Sequence, residues 1–155
     1  MKNNTLSTGF TLIELMVVIS IIALLAGIGI PTIIKSQLKA KEALAKTEIA
    51  GLAGALSMYE TDNGRYPEDD ATFSGKPLVD ALQGDAMSSP PKPPYYQFKK
   101  SRLADGEYNS PLNKPYYYRE NASEKTKTAE MHNAFTFDIW TENGAEEKDK
   151  INNWD

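Results

Sequence analysis

The chain has 155 residues, sized for one modest domain, and its 17 Lys and Arg against 21 Asp and Glu leave a formal net charge of −4, which offers no electrostatic support for nucleic-acid binding. It contains no cysteine, which excludes disulfides and thiolate metal sites as the means of holding a small domain together. The one histidine, His132, lies in the polar stretch Glu130 to Asn133, without a Ser-His-Asp or Cys-His motif, a phosphate-binding glycine loop or zinc spacing nearby, so no enzyme is read here.

Residues 1–9 are short, polar and weakly positive, with Lys2 as the only charged side chain, and read as a leader. Behind them Leu15 to Ile34 is an uninterrupted uncharged run. As a helix it would rise about 30 Å, the thickness of a bilayer's hydrocarbon core. Glu14 stands at its head, where lipid would charge an acid up to about 3 kcal/mol, and less toward the helix end. A secretory signal would have a shorter apolar region followed by a small-x-small cleavage site. A simple membrane anchor fits the length but gives Glu14 no role.

Gly9-Phe10-Thr11-Leu12-Ile13-Glu14 followed by Leu15-Met16-Val17-Val18-Ile19 is similar to the prepilin cleavage and methylation signature of type IV pilins and type II secretion pseudopilins. The resemblance implies that a prepilin peptidase cuts between Gly9 and Phe10 and methylates the new amino terminus on Phe10, with Glu14 as the acid of the mature head. Physics supplies a reason for that acid. A freed α-amino group on Phe10 is a positive charge at the membrane surface, and a carboxylate one turn away, on its own chain or a neighbour's, offsets the desolvation of both.

Ser20, Ala23 and Gly27 share one helix face, and Ala23-x-x-x-Gly27 permits close approach between helices. Pro31 removes the bond to the carbonyl of residue 27 and crowds it. With Gly27 and Gly29 beside it, a kink or melted turn is expected over Gly27 to Pro31. Lys35, Lys39 and Lys41 after the apolar run would by charge bias alone place the carboxyl side in the cytoplasm; the resemblance implies the reverse and is the more specific signal.

From Lys35 the pattern becomes that of an amphipathic helix. Leu38, Ala45, Ile49, Leu52, Leu56 and Tyr59 recur at helical spacing, and Glu42 with Lys46 form a favourably ordered i,i+4 pair. Asp62-Asn63-Gly64 caps it, and Pro67 forbids continuation. Pro77 to Leu82 reads as a short helix and Met87 to Pro94 as a loop. Tyr95 to Phe98, Tyr116 to Tyr118 and Phe135 to Trp140 read as strands, the last half-buried, with Phe135, Phe137 and Ile139 on its buried face alternating with Thr136, Asp138 and Trp140 on the open one. Core packing is preferred for these aromatics over a stacking platform for sugars or bases. The expected fold is α+β: a long N-terminal helix, transmembrane in its first half and amphipathic in its second, packed against a small antiparallel sheet. Its parts are the leader 1–9, the membrane and filament-core helix 10–34, the amphipathic half 35–62 and a globular pilin-like region 63–155.

The resemblance narrows with Ala55-Leu56-Ser57-Met58-Tyr59, Asp62-Asn63-Gly64-Arg65-Tyr66-Pro67 and Ile151-Asn152-Asn153-Trp154, which look like the helix end, turn and carboxyl terminus of the type II secretion major pseudopilin. Ser110 to Tyr116 departs from the Asp-Pro-Trp-Gly-like turn more common there. The resemblance also implies a calcium site just before the carboxyl terminus. Here Glu146, Glu147 and Asp149 would supply its oxygens, while Lys150 would repel the ion; a solvated acidic loop is the simpler reading of the residues. No other cofactor is expected. The implied function is the structural subunit of a periplasmic pseudopilus, a homopolymer drawn from the inner-membrane lipid and working with a prepilin peptidase, minor pseudopilins and an inner-membrane assembly platform. The protein would be single-pass with its globular part in the periplasm. A surface type IV pilus used for adhesion, motility or DNA uptake is the alternative, disfavoured by the absence of a carboxyl-terminal cysteine pair.

Overall fold

The computed structural model describes residues 10–70, 72–122, 131–143 and 150–154. The chain divides into two compact units, Met1–Lys39 and Ala40–Asp155, and helix α1, Leu12–Asn63, contributes to both. In the first unit α1 is long and apolar enough to cross a membrane. Its large apolar side chains from Phe10 to Ile34 are between 46% and 80% exposed. The expected interruption over Gly27 to Pro31 is not a break, because α1 runs unbroken through it.

In the second unit, Ala45, Ile49, Leu52, Ala55 and Leu56 of α1 are buried, at the spacing that places them on one stripe. Gly64 ends the helix in the left-handed region, φ 73°, where its N–H donates to the Glu60 carbonyl at 2.7 Å, as expected of a glycine cap. Glu42 does not pair with Lys46; its carboxylate accepts from the Asn143 amide at 2.9 Å. Helix α2, Lys76–Leu82, carries Pro77 in its first turn and buries Leu78, Val79 and Leu82. Gly84 follows with φ 77°, and a Cβ there would lie 2.7 Å from the Lys92 carbonyl, so only glycine fits where the loop closes through paired Asp85 and Lys92 backbone bonds.

Tyr95 to Phe98 is not a strand. The N–H groups of Tyr95 and Tyr96 both donate to the Leu82 carbonyl at the end of α2, which removes them from any ladder, while the rings pack on the core. After a 3-10 turn, Lys100–Arg102, β1, Leu103–Ala104, and β2, Glu107–Tyr108, form a hairpin. Its two turn residues, Asp105 and Gly106, both have positive φ, the requirement that an Asp-Gly pair meets. A second antiparallel sheet has the order β3-β4-β5, with β3 Tyr116–Glu120, β4 Phe137–Glu142 and β5 Lys150–Asn152.

Tyr116, Tyr118, Phe137 and Ile139 of this sheet join the helix stripe in the core. Phe135 departs from the expected alternation: it precedes β4 and is 82% exposed. Asp138, expected on the open face, is buried because it caps the preceding turn, accepting from the backbone N–H groups of His132 at 3.1 Å and Asn133 at 3.0 Å. The opposite face carries Tyr117 stacked on Trp140 and the exposed His132 ring stacked on Trp154 at 4.0 Å. Asn153 extends the pairing at the chain's end: its N–H donates to the Ile139 carbonyl and its side-chain oxygen accepts the Ile139 N–H at 2.9 Å.

The free edge of β3 is covered by the segment before α2, where the Phe73 carbonyl accepts the Tyr118 N–H and the Asp69 carboxylate accepts the Glu120 N–H, which blunts an edge open to other strands. Phe73 has φ 54° and is held there by Asp70. Burial pushes the Asp70 carboxyl up, but hydrogen bonds from the hydroxyl and N–H of Ser74 and of Thr72 outweigh it and leave the pKa at about 2, below the ordinary 3.8. A depressed carboxylate stabilises the fold above the unfolded value and loses that contribution as pH falls through the folded one. Asp70→Asn is expected to lower stability near pH 6 by about 1 kcal/mol after allowance for solvent screening. The gap to the parent should close between pH 4 and pH 2, as read by melting temperature across that range.

Candidate functional site

The feature singled out by sequence, the head of α1, is built on its first turn. Leu12 begins the helix, and Thr11 stands at the cap position before it. The Glu14 N–H donates to the Thr11 hydroxyl at 3.3 Å, and in return the Glu14 carboxylate accepts the Thr11 hydroxyl at 2.6 Å and the Thr11 backbone N–H at 2.9 Å. This is a reciprocal capping box, which satisfies donors the first turn would otherwise leave open. Sequence reasoning missed Thr11; its signal was the Thr-x-x-Glu spacing ahead of an apolar run.

Both of these bonds fall on one carboxylate oxygen, Oε2. Among the described residues Oε1 accepts none, so the clamped acid presents an oriented, open oxygen suited to an ammonium donor. Phe10, 80% exposed, lies beside it with Ile13, Val17 and Val18, and together they line a shallow apolar groove. A negative group in the first turn also complements the helix dipole.

Of the other residues the sequence singled out, Gly27 faces open space, with nothing within 4 Å of where a Cβ would stand. Gly29 and Pro31 lie within the continuous α1. Gly9 and the candidate calcium ligands Glu146, Glu147 and Asp149 lie outside the described residues. Lys150 is described: it pairs with Glu142 in the β4-β5 register, and its ammonium lies 5.2 Å from the centre of the Trp140 ring. Among the described residues no group of three or more His, Cys, Asp or Glu side chains is arranged to hold a metal ion.

Two family models match the chain: the prokaryotic N-terminal methylation motif over residues 5–30 and type II secretion system protein G over residues 32–154. The chain belongs to the type II secretion system protein G family. Its α+β, pilin-like architecture accords with that membership. It is 43% identical over 70 residues to the type II secretion system core protein G of Vibrio cholerae, covering 45% of this chain and 48% of that one. With the core protein G of Aeromonas hydrophila it is 40% identical over 83 residues, 54% of each chain. The type IV major pilin protein PilA of Myxococcus xanthus is 43% identical over 65 residues, 42% of this chain and 30% of that pilin. The chain thus matches about half the length of its core protein G relatives. The family is one of structural pseudopilins, and the methylation motif carries with it processing and assembly.

Proposed function

We propose that this chain is the repeating subunit of a periplasmic pseudopilus of a type II protein secretion system, structural and not catalytic. A prepilin peptidase cuts it between Gly9 and Phe10, and Phe10 becomes the methylated amino terminus. Residues 10–34 hold the subunit in the inner membrane, with the globular part in the periplasm, until it polymerises through α1 on an inner-membrane assembly platform together with minor pseudopilins.

The observation that carries this reading is the pairing of a clamped Glu14 with a helix half that buries none of its large apolar side chains. Exposed apolar area on that scale needs lipid or other copies of the helix around it. Leaving lipid for a bundle of like helices costs little for apolar side chains, whereas an uncompensated carboxylate must find a partner. Cleavage creates one: the new α-amine of Phe10 on an incoming subunit can meet Oε1 while Thr11 holds Oε2. The unbroken Gly27 to Pro31 segment is where the helix could stretch on packing, since Pro31 contributes no N–H there.

A subunit of a surface type IV pilus is the second reading, motivated by the similarity to the Myxococcus pilin. That similarity spans 65 residues of this chain, whereas the protein G model extends over residues 32–154, through the globular part. Deleting the gene in its host separates the two. Loss of export of folded periplasmic enzymes is the expected result; loss of surface fibres with export intact would select the pilus instead.

A further inference from the structure

At the carboxyl end of α1 the second unit carries a groove of about 450 Å³ whose lining includes Glu60, Arg65, Tyr66, Glu68, Glu120 and Phe135. Its character is mixed. Tyr66 is half-buried against Phe137 with ring centres 5.1 Å apart, and Phe135 is an 82% exposed aromatic beside it. Among the described residues three carboxylates line it with one guanidinium; Arg65 is bonded to Glu68 at 3.0 Å, and the buried Glu120 carboxylate accepts the Ala122 N–H at 2.7 Å. The acidic field registers on neighbouring groups: the Tyr66 phenol is pushed up first by burial and then by Glu60. A lining that mixes aromatic rings with an excess of negative charge among the described residues suits a lysine-bearing segment, whose aliphatic stems pack on rings while the ammonium groups reach carboxylates.

The chain displays such a segment elsewhere on the same unit. Lys99 and Lys100 are consecutive and exposed at the start of the 3-10 turn. The ion pairs among the described residues are Arg65 with Glu68, Arg102 with Glu48, and Lys114 with Glu142, so neither lysine is in one. The turn is tied to α1 at Glu48 through Arg102, whereas the groove opens at Glu60 to Gly64. At 1.5 Å per residue those levels differ by about 18 Å along the helix. Two complementary, non-identical surfaces at different heights on one subunit suit a head-to-tail contact, which extends as an open filament wherever the rotation between copies does not close a ring.

We infer that the groove bounded by Glu60, Glu68, Tyr66 and Phe135 receives Lys99 and Lys100 of a second copy of this chain, forming a contact between globular parts along the filament. This rests on the filament reading above.

The full-length chain in its host secretion system supplies the test, and its lack of cysteine makes introduced pairs unambiguous. Phe135→Cys with Ser101→Cys in one chain should give, under a mild copper oxidant, a ladder of disulfide-linked multimers, and each single variant should give no more than dimers. Glu60→Lys/Glu68→Lys, and separately Lys99→Glu/Lys100→Glu, should each cut the ladder by about tenfold, as expected of reversed charge pairs at an interface. The two reversals combined in one chain should restore it to within about twofold, a recovery that misfolding would not allow. Filaments of normal yield from either reversal, with no ladder from the cysteine pair, would overturn the groove assignment and leave the filament reading standing. No filaments from the unaltered, processed chain would remove the filament reading and this contact with it.

Discussion

Glu14→Ala is expected to leave the chain in the inner membrane and to abolish filaments. Insertion should not suffer, because the substitution removes the one charge from an apolar run that is long enough to cross a bilayer. The helix should persist too: losing the capping box costs about 1 kcal/mol at the first turn, small against an α1 of 52 residues. Assembly is different. A subunit whose Phe10 amine enters the helix bundle without a carboxylate leaves a desolvated charge unpaired, and truncating one partner of such a pair costs about 2–5 kcal/mol at each contact. That is more than tenfold in each association step, and a filament multiplies it over every subunit. Glu14→Gln separates the two roles of the side chain, since its amide oxygen still accepts from Thr11 while the charge is gone. If charge pairing is the function, Gln should fail as Ala does; if only the cap mattered, Gln should assemble. Normal filaments from Glu14→Ala, counted by electron microscopy of sheared material, would end the charge-pair account. Mass spectrometry of assembled parent material supplies the companion check, with a methylated Phe10 expected at its amino terminus and an intact Met1 contradicting it.

The head was legible because membrane physics makes any acid in such a run conspicuous, and the helix stripe because Ala45, Ile49, Leu52 and Leu56 keep a strict helical period to the Gly64 stop. What escaped notice were polar residues doing internal work. Glu48 looks like a surface acid between two apolar positions, yet it is buried; only its partners, 54 and 68 residues away, explain it. Asp138 was assigned to the open face by alternation, and the turn it caps overrides that period. Tyr95 to Phe98 has strand composition without strand pairing, because its first amides are spent on the end of α2. The Asp105-Gly106 hairpin went unread although its turn pair signals one, and β5 gave no such signal, since Lys150–Asn152 holds a single apolar residue. The aromatics split by face: Tyr116 and Tyr118 are core, as expected, while Tyr117, Trp140 and Trp154 lie half-buried on the other face, packed on one another.

Arg102→Met should be among the most destabilising substitutions in the globular unit, at about 3 kcal/mol. The Glu48 carboxylate is 8% exposed and the Arg102 side chain 17%. The carboxylate accepts from both terminal nitrogens of Arg102 and from the Tyr116 hydroxyl at 2.8 Å, and Arg102 also donates to the Tyr108 hydroxyl. Burial and the Glu48 carboxylate push the Tyr116 phenol up, which favours its role as a donor to that carboxylate. Burial alone would ease the proton off Arg102, but its bond to Glu48 holds the pKa above the ordinary value. Such a pair gains little over an apolar replacement of the same volume, yet removing one member strands the other, at a cost of about 3–5 kcal/mol when fully buried and somewhat less here. Against a typical stability of about 5–15 kcal/mol, that loss should be plain in urea denaturation of the full-length chain in detergent, followed by the fluorescence of Trp140 and Trp154. Glu48→Gln in the same chain removes the stranded charge and keeps an acceptor for Tyr116, so the double variant should recover about 2 kcal/mol. The recovery is the decisive quantity. If Glu48→Gln/Arg102→Met is no more stable than Arg102→Met alone, the loss comes from packing around the arginine stem, and Glu48 is not the charge that ties the 3-10 turn to α1.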